Sequence, residues 1–174
     1  MRQGSDLVVT PAGPLQGEIP DYLAGAMRSS VFYLAPLLCR VGMVCLPLPG
    51  GCRLGPRPVD IHLSGLAAMG ASVELEGIAV TLRRHGPLHG VDFTLRLPSV
   101  GATMTLLMAA TQAGGTTILR GAACEPEISD LANFLRACGA HITGAGTPVL
   151  VIQGGEPLHG AVWSGGSFVY VPAG

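Results

Sequence analysis

The strongest constraint on this chain is that it repeats itself. Leu66-Ala67-Ala68-Met69-Gly70-Ala71-Ser72-Val73 lines up with Leu135-Arg136-Ala137-Cys138-Gly139-Ala140-His141-Ile142, an offset of 69 residues. Pro87-Leu88-His89-Gly90 returns as Pro157-Leu158-His159-Gly160 at an offset of 70, and a fainter copy, Pro14-Leu15-Gln16-Gly17, lies upstream. Ser30-Val31 likewise pairs with Ser99-Val100. A period of this length means one supersecondary unit used more than once, each copy burying its apolar face against the next.

Each unit is legible in order. A helix is expected over Val31–Arg40 and again over Ala102–Ala113, capped by the hydroxyls of Ser29-Ser30 or Ser99. Pro36 should kink the first copy. A short strand follows (Cys45–Leu48 or Thr116–Leu119), then a Gly-containing loop leading to Pro58 or Pro126 at the first position of a second helix. That helix should stop at Gly70 or Gly139. Two hairpins close the units: Ser72–Leu75 with Ile78–Leu82, and His141–Thr143 with Val149–Ile152. One more strand is expected after each Pro-Leu-His-Gly turn. The repeats then occupy about 18–90 and 91–162, after a closing hairpin of an earlier unit near Leu7–Gly17, and 163–174 form a divergent tail.

The charge distribution says which layer is inside. Ala102–Ala113 carries no charge on any face, as expected of a helix buried all round, whereas strand positions hold Glu74, Glu76, Arg83 and Arg84. Helices inside and strands outside reverse the usual α/β arrangement. At 174 residues, 48% hydrophobic and 12% charged, the chain has material for one domain with a real core. The uncharged run Leu97–Leu119 is long enough to span a membrane, but its five Thr, Ser99, Gln112 and Gly114-Gly115 fit a buried helix and strand better. A net charge of −1 lacks the basic footprint of a nucleic-acid binder. No apolar signal region follows Met1, and five Cys without C-x-x-C spacing suit a reducing, cytoplasmic compartment, most of them as small buried hydrophobes. All ten basic residues are Arg, so a site needing a Lys ammonium must take it from outside this chain.

The densest chemistry lies in Pro49-Gly50-Gly51-Cys52-Arg53-Leu54-Gly55-Pro56-Arg57-Pro58-Val59-Asp60-Ile61-His62, a shaped loop feeding a helix N-terminus. Free N–H groups and Arg forks there would clamp an anion, and Arg53 and Arg57 would favour a Cys52 thiolate. From composition alone, a surface turn with a buried Cys is the better account. Ser99-Val100-Gly101 offers a second helix N-terminus open to close approach, and Arg28 stands before the equivalent position of the other copy; a capped helix accounts for either. Glu125 and Glu127 begin a helix where carboxylates favour the dipole. His62, His85, His89, His141 and His159 have no ligand spacing, so no metal is assigned.

Pro49-Gly50-Gly51-Cys52-x-x-Gly55-x-Arg57-Pro58-Val59-Asp60-x-His62 resembles the catalytic-loop signature of the UDP-N-acetylglucosamine 1-carboxyvinyltransferases, enolpyruvyl transferases of peptidoglycan synthesis. Ala26-Met27-Arg28-Ser29-Ser30, Ser99-Val100-Gly101-Ala102-Thr103 and Glu125-Pro126-Glu127-Ile128-x-Asp130-x-Ala132-Asn133-Phe134-Leu135 are similar to the same family in the same order, over about Met1 to Val162. The resemblance implies an inside-out, barrel-like α/β fold of βαβαββ repeats, here incomplete. It implies transfer of enolpyruvyl from phosphoenolpyruvate to the 3-hydroxyl of UDP-N-acetylglucosamine without a cofactor. By it Cys52 would be the general acid and the point of fosfomycin-type alkylation. Arg57 would meet the substrates' anionic groups, Arg28 the UDP-sugar, and Pro58, Val59, Asp60, Ile61, Ser99, Val100 and Gly101 the uridine end.

The departures from the family carry expectations of their own. The family's chains are more than twice as long, with the site between two domains, and its N-terminal Lys-Asn motif has no counterpart here. Leu97 stands where a basic residue is usual, and Cys124 where an Arg is. Past Val162 a Pro-Asp-Arg-x-Glu segment is replaced by Trp163-Ser164-Gly165-Gly166, which reads as a truncation or frameshift. The chain is therefore expected to be inactive by itself, with a complementary chain as the source of the missing residues. The alternatives are a non-catalytic module that binds a UDP-sugar or pairs with a partner, and the related shikimate-pathway enolpyruvyl transferase, which lacks the Gly-Gly-Cys loop.

Overall fold

The computed structural model describes residues 2–3, 6–7, 9, 14–24, 28–47, 59–77 and 79–163, with backbone alone at 2–3, 6–7 and 28. In chain order come β1 (Arg2–Gln3), β2 (Asp6–Leu7), α1 (Asp21–Ala24), a 3-10 helix (Arg28–Tyr33), α2 (Leu34–Val41), β3 (Met43–Pro47) and α3 (Asp60–Ala68). There follow β4 (Ala71–Glu76), β5 (Ala79–Arg84), β6 (Asp92–Thr94), α4 (Val100–Gln112), β7 (Gly115–Arg120), α5 (Pro126–Ala137), β8 (His141–Thr143) and β9 (Val149–Gly154).

The repeat is visible in the sheets. One has the order β3-β5-β4 and the other β6-β7-β9-β8, so β3, β4 and β5 correspond to β7, β8 and β9. Every pairing is antiparallel except β6 with β7, where Asp92 faces Ile118. The first sheet has the same parallel neighbour in reduced form: Glu18 bridges Cys45, the Cys45 N–H donates to the Gly17 carbonyl at 2.8 Å, and the Ile19 N–H to the Cys45 carbonyl at 3.0 Å.

The Pro-Leu-x-Gly copies explain themselves here. A Cβ on Gly17 would run into the Met43 carbonyl, and one on Gly90 into the Thr116 backbone, so only glycine lets each segment lie against the strand it joins. The turn is also tied to the preceding helix: the His89 N–H donates to the Met69 carbonyl at 3.0 Å, and His159 repeats this with Cys138 at 2.9 Å. Gly70 and Gly139 end α3 and α5 with φ of 104° and 101°, values open to glycine and strained for other residues.

The helical layer is interior, as the charge pattern requires. On α4, Ala102, Thr103, Thr105, Leu106, Leu107, Ala109, Ala110 and Thr111 are all buried, with α2, α3, α5, β7, β9 and the 3-10 helix packed around it. Leu106 and Leu107 each contribute roughly 1.5–3 kcal/mol by leaving water. Gly65 lets α3 approach closely, since a Cβ there would overlap the Leu106 side chain. Glu74, Glu76 and Arg83 project outward, whereas Arg84 folds back to donate to the Leu38 and Cys39 carbonyls at 2.9 and 3.1 Å, a cation closing the C-terminus of α2. No helix among the described residues is long and apolar enough to cross a membrane.

Several expectations need correction. Ser99 caps α4, its Oγ accepting from the Ala102 N–H at 3.3 Å, but Ser30 caps nothing: its hydroxyl donates to the Ala24 carbonyl at 3.2 Å from inside the 3-10 helix. Pro36 is the reason. It has no N–H to give the Phe32 carbonyl, so the backbone stays in the tighter helix to Tyr33 and turns α-helical at Leu34. At the N-terminus Arg2–Gln3 pairs with Asp6–Leu7 and Gly17 takes part in the parallel approach to β3, while much of the hairpin expected near Leu7–Gly17 lies outside the described residues. A strand follows the first Pro-Leu-His-Gly turn, but residues 161–163 after the second form none. Cys138 is buried and Cys39 and Cys45 half-buried, but Cys124 is exposed in the loop before α5.

Candidate functional site

Two of the motif segments open neighbouring helices at a common end. Val59 precedes α3 and its carbonyl accepts from the Leu63 N–H at 3.0 Å; Ser99 precedes α4 and its carbonyl accepts from the Thr103 N–H at 2.9 Å. Both first turns therefore present a positive helix end, the arrangement that attracts an anionic group. A Cβ on Gly101 would lie 3.0 Å from His62 Nε2 and 4.0 Å from Phe32, so α3, α4 and the 3-10 helix meet at this turn.

The surface of this end is set by an ion pair. Arg96, just before α4, donates from Nε and Nη2 to Oδ2 of Asp60 at 3.1 and 2.6 Å. The two side chains are each 55% exposed, so the pair orients more than it stabilises. Behind it the Ala123 N–H donates to Thr103 Oγ1 at 3.1 Å, fixing the Gly121–Glu125 loop to the first turn of α4. Glu125 precedes α5 and Glu127 lies in its first turn without capping it, consistent with carboxylates that favour the helix dipole.

The candidate residues divide accordingly. Val59, Asp60, Ser99, Val100 and Gly101 come together, with Asp60 exposed and the others half-buried. Ile61 is 3% exposed and belongs to the core, so a ligand at this end would meet its backbone and not its side chain. Arg28 begins the 3-10 helix, with its backbone alone described. Cys52, Arg57 and Pro58 lie outside the described residues.

Two residues of this end carried no sequence expectation of a role. The partner of Arg96 is 36 residues away, and the sequence signal is no more than a basic residue just before a capped helix start. The sequence puts His62 on a helix; its burial, at 6% exposed, comes with the first turn of α4 lying against it. Burial pushes the imidazole below its ordinary pKa, while the nearby Asp60 carboxylate and Val59 carbonyl pull weakly the other way without reaching hydrogen-bond geometry with the ring.

The chain matches the family profile described as EPSP synthase (3-phosphoshikimate 1-carboxyvinyltransferase) over residues 2–164. It is 48% identical over 163 residues to the UDP-N-acetylglucosamine 1-carboxyvinyltransferase of Cellvibrio japonicus, covering 93% of this chain and 39% of that protein. Against the enzyme of the same name from Granulibacter bethesdensis it is 53% identical over 144 residues, covering 83% of this chain and 34% of the relative. Among solved structures it is similar to the enolpyruvyl transferase NikO from Streptomyces tendae, with a TM-score of 0.69 and 26% identity over 83% of this chain and 34% of that one. The chain thus spans less than two fifths of the length of these curated relatives.

Proposed function

This chain belongs to the EPSP synthase family of enolpyruvyl transferases, and from that premise we propose that it carries the nucleotide-sugar side of a UDP-N-acetylglucosamine 1-carboxyvinyltransferase site. The reaction moves the enolpyruvyl group of phosphoenolpyruvate onto the 3-hydroxyl of the sugar and releases phosphate, a cytoplasmic step toward peptidoglycan and hence cell shape and division. The observation that carries the reading is the meeting of Val59–Asp60 with Ser99–Gly101 at two positive helix ends. A diphosphate suits those N–H groups, and Asp60 supplies an acceptor for a ring N–H of the base.

In this reading Cys52 protonates the methylene carbon of phosphoenolpyruvate and is the atom that fosfomycin-type electrophiles alkylate. Arg57 meets the anionic groups, Arg28 the UDP-sugar, and Pro58 and the Ile61 backbone the uridine end. The division of the chain at about residues 18, 90 and 162 belongs to the same proposal.

Titration calorimetry with UDP-N-acetylglucosamine tests the reading, with saturable heat expected. Its absence would count against a nucleotide-sugar site and leave a folded scaffold. A phosphate-release assay of the 174 residues with both substrates is expected to show no turnover, because they cover at most 39% of the relatives compared above. Turnover that survives Cys52→Ala would remove Cys52 from the chemistry.

A further inference from the structure

Among the described residues, His62 is buried with neither Nδ1 nor Nε2 hydrogen-bonded. The residue is 6% exposed, third in α3 after Asp60 and Ile61, with Nε2 turned toward Gly101 in the first turn of α4 and Phe32 beside the same space. A buried imidazole can donate through one nitrogen and accept through the other, and leaving both unmet is costly. An aliphatic side chain would fill the volume without that cost, so packing alone does not account for a histidine here.

What distinguishes the ring is its shape. It is flat, and its edge meets a glycine at position 101, where a Cβ would sit a tight 3.0 Å from Nε2. We propose that His62 is a positioning residue of the nucleotide-sugar site: its neutral imidazole, wedged edge-on against Gly101, sets the spacing of the first turns of α3 and α4 and so the placement of Asp60 relative to Ser99. The inference rests on the functional reading above and adds to it a residue that need not touch the ligand.

Burial keeps the wedge neutral, and its charged neighbours offset that only weakly. Both helix ends beside it are positive, and α4 has no charged residue between Val100 and Gln112. Asp60 is the acid on the same helix, and its carboxylate is engaged by Arg96. A proton on His62 therefore gains little from its neighbours.

Two variants and one spectrum test this, with UDP-N-acetylglucosamine as the probe. His62→Leu removes both unmet nitrogens but replaces a flat edge with branched methyls; it is expected to melt at or above the parent temperature and to bind about tenfold more weakly, a misplacement effect. His62→Gln puts a flat amide where Nε2 lies and is expected to restore affinity to within about threefold of the parent. In the parent, the ¹⁵N imidazole resonances of His62 should be those of a neutral ring and should move when the probe is added.

Parent-like binding by His62→Leu overturns the inference, as does a binding loss that follows a matching loss of stability and is not restored by His62→Gln. Should the leucine variant not fold, His62 resonances unmoved by saturating probe overturn it equally. A parent that takes up no probe overturns both this inference and the functional reading, whereas a parent that binds beside indifferent variants overturns this inference alone.

Discussion

Arg96 reaches one oxygen of Asp60 with two of its nitrogens, Nε at 3.1 Å and Nη2 at 2.6 Å from Oδ2, and so joins the start of α3 to the approach to α4. With each side chain 55% exposed, such a pair contributes about 0.2–1 kcal/mol to folding. Its larger effect is to hold the carboxylate in one direction beside two helix ends.

Removing either partner should therefore separate binding from stability. Asp60→Asn is expected to shift the unfolding free energy by less than about 1 kcal/mol while weakening UDP-N-acetylglucosamine binding about tenfold. Arg96→Gln should weaken it less, since the carboxylate remains. Calorimetry and denaturant titration of the two variants and their double mutant check this, and a purely additive binding effect would mean the pair does not act as a unit.

Thr103 offers a cleaner stability test. Thr103→Val keeps the shape but strips the acceptor from the buried Ala123 N–H, at a cost of about 1–3 kcal/mol. Thr103→Ser should recover most of the loss in urea titrations, because the hydroxyl remains.

His62 links stability to pH. Its folded pKa is lowered by burial, so below about pH 6.5 the unfolded chain takes up a proton that the native chain refuses, and the native state loses ground as pH falls. Above that range both states are neutral at this position and the contribution is flat. Melting curves between pH 5 and 8 should fall on the acid side for the parent, and the difference from His62→Leu should isolate this residue from the other histidines.

The half-buried Cys39 should be a poor nucleophile. Burial pushes its thiol up to about 11, with Arg84 pulling weakly the other way. At pH 8 that leaves on the order of one thiol in a thousand ionised, so of these two cysteines the exposed Cys124 should be alkylated first, with Cys39 unmodified until the fold opens. Peptide mapping after brief iodoacetamide treatment checks the order.

What was legible beforehand was whatever local rules decide. The glycine stops at Gly70 and Gly139, the Ser99 cap, the uncharged α4 and both hairpins are each fixed by a few neighbouring residues, and the repeat doubled every signal. The candidate residues Val59, Asp60, Ser99, Val100 and Gly101 were legible by resemblance. The relations among them were not: Asp60 meets Arg96 and His62 meets Gly101 across more than 30 positions, and no periodicity in either segment anticipates such a meeting. Ser30 failed for the opposite reason, because a proline six residues on imposed a tighter helix on what looked like an ordinary cap.

The Pro87–Gly90 turn is held from both sides. Its His89 N–H is bound to the end of α3, while the Gly90 N–H donates to the Gly114 carbonyl and the Leu88 carbonyl accepts from the Gly114 N–H, both at 2.8 Å. Mechanically this is a seam fastened along both edges, unlike the single thread that joins beads on a string. The turn ties the end of α3 to the residue just before β7, so the two repeats share a stitched backbone edge in place of a bare linker.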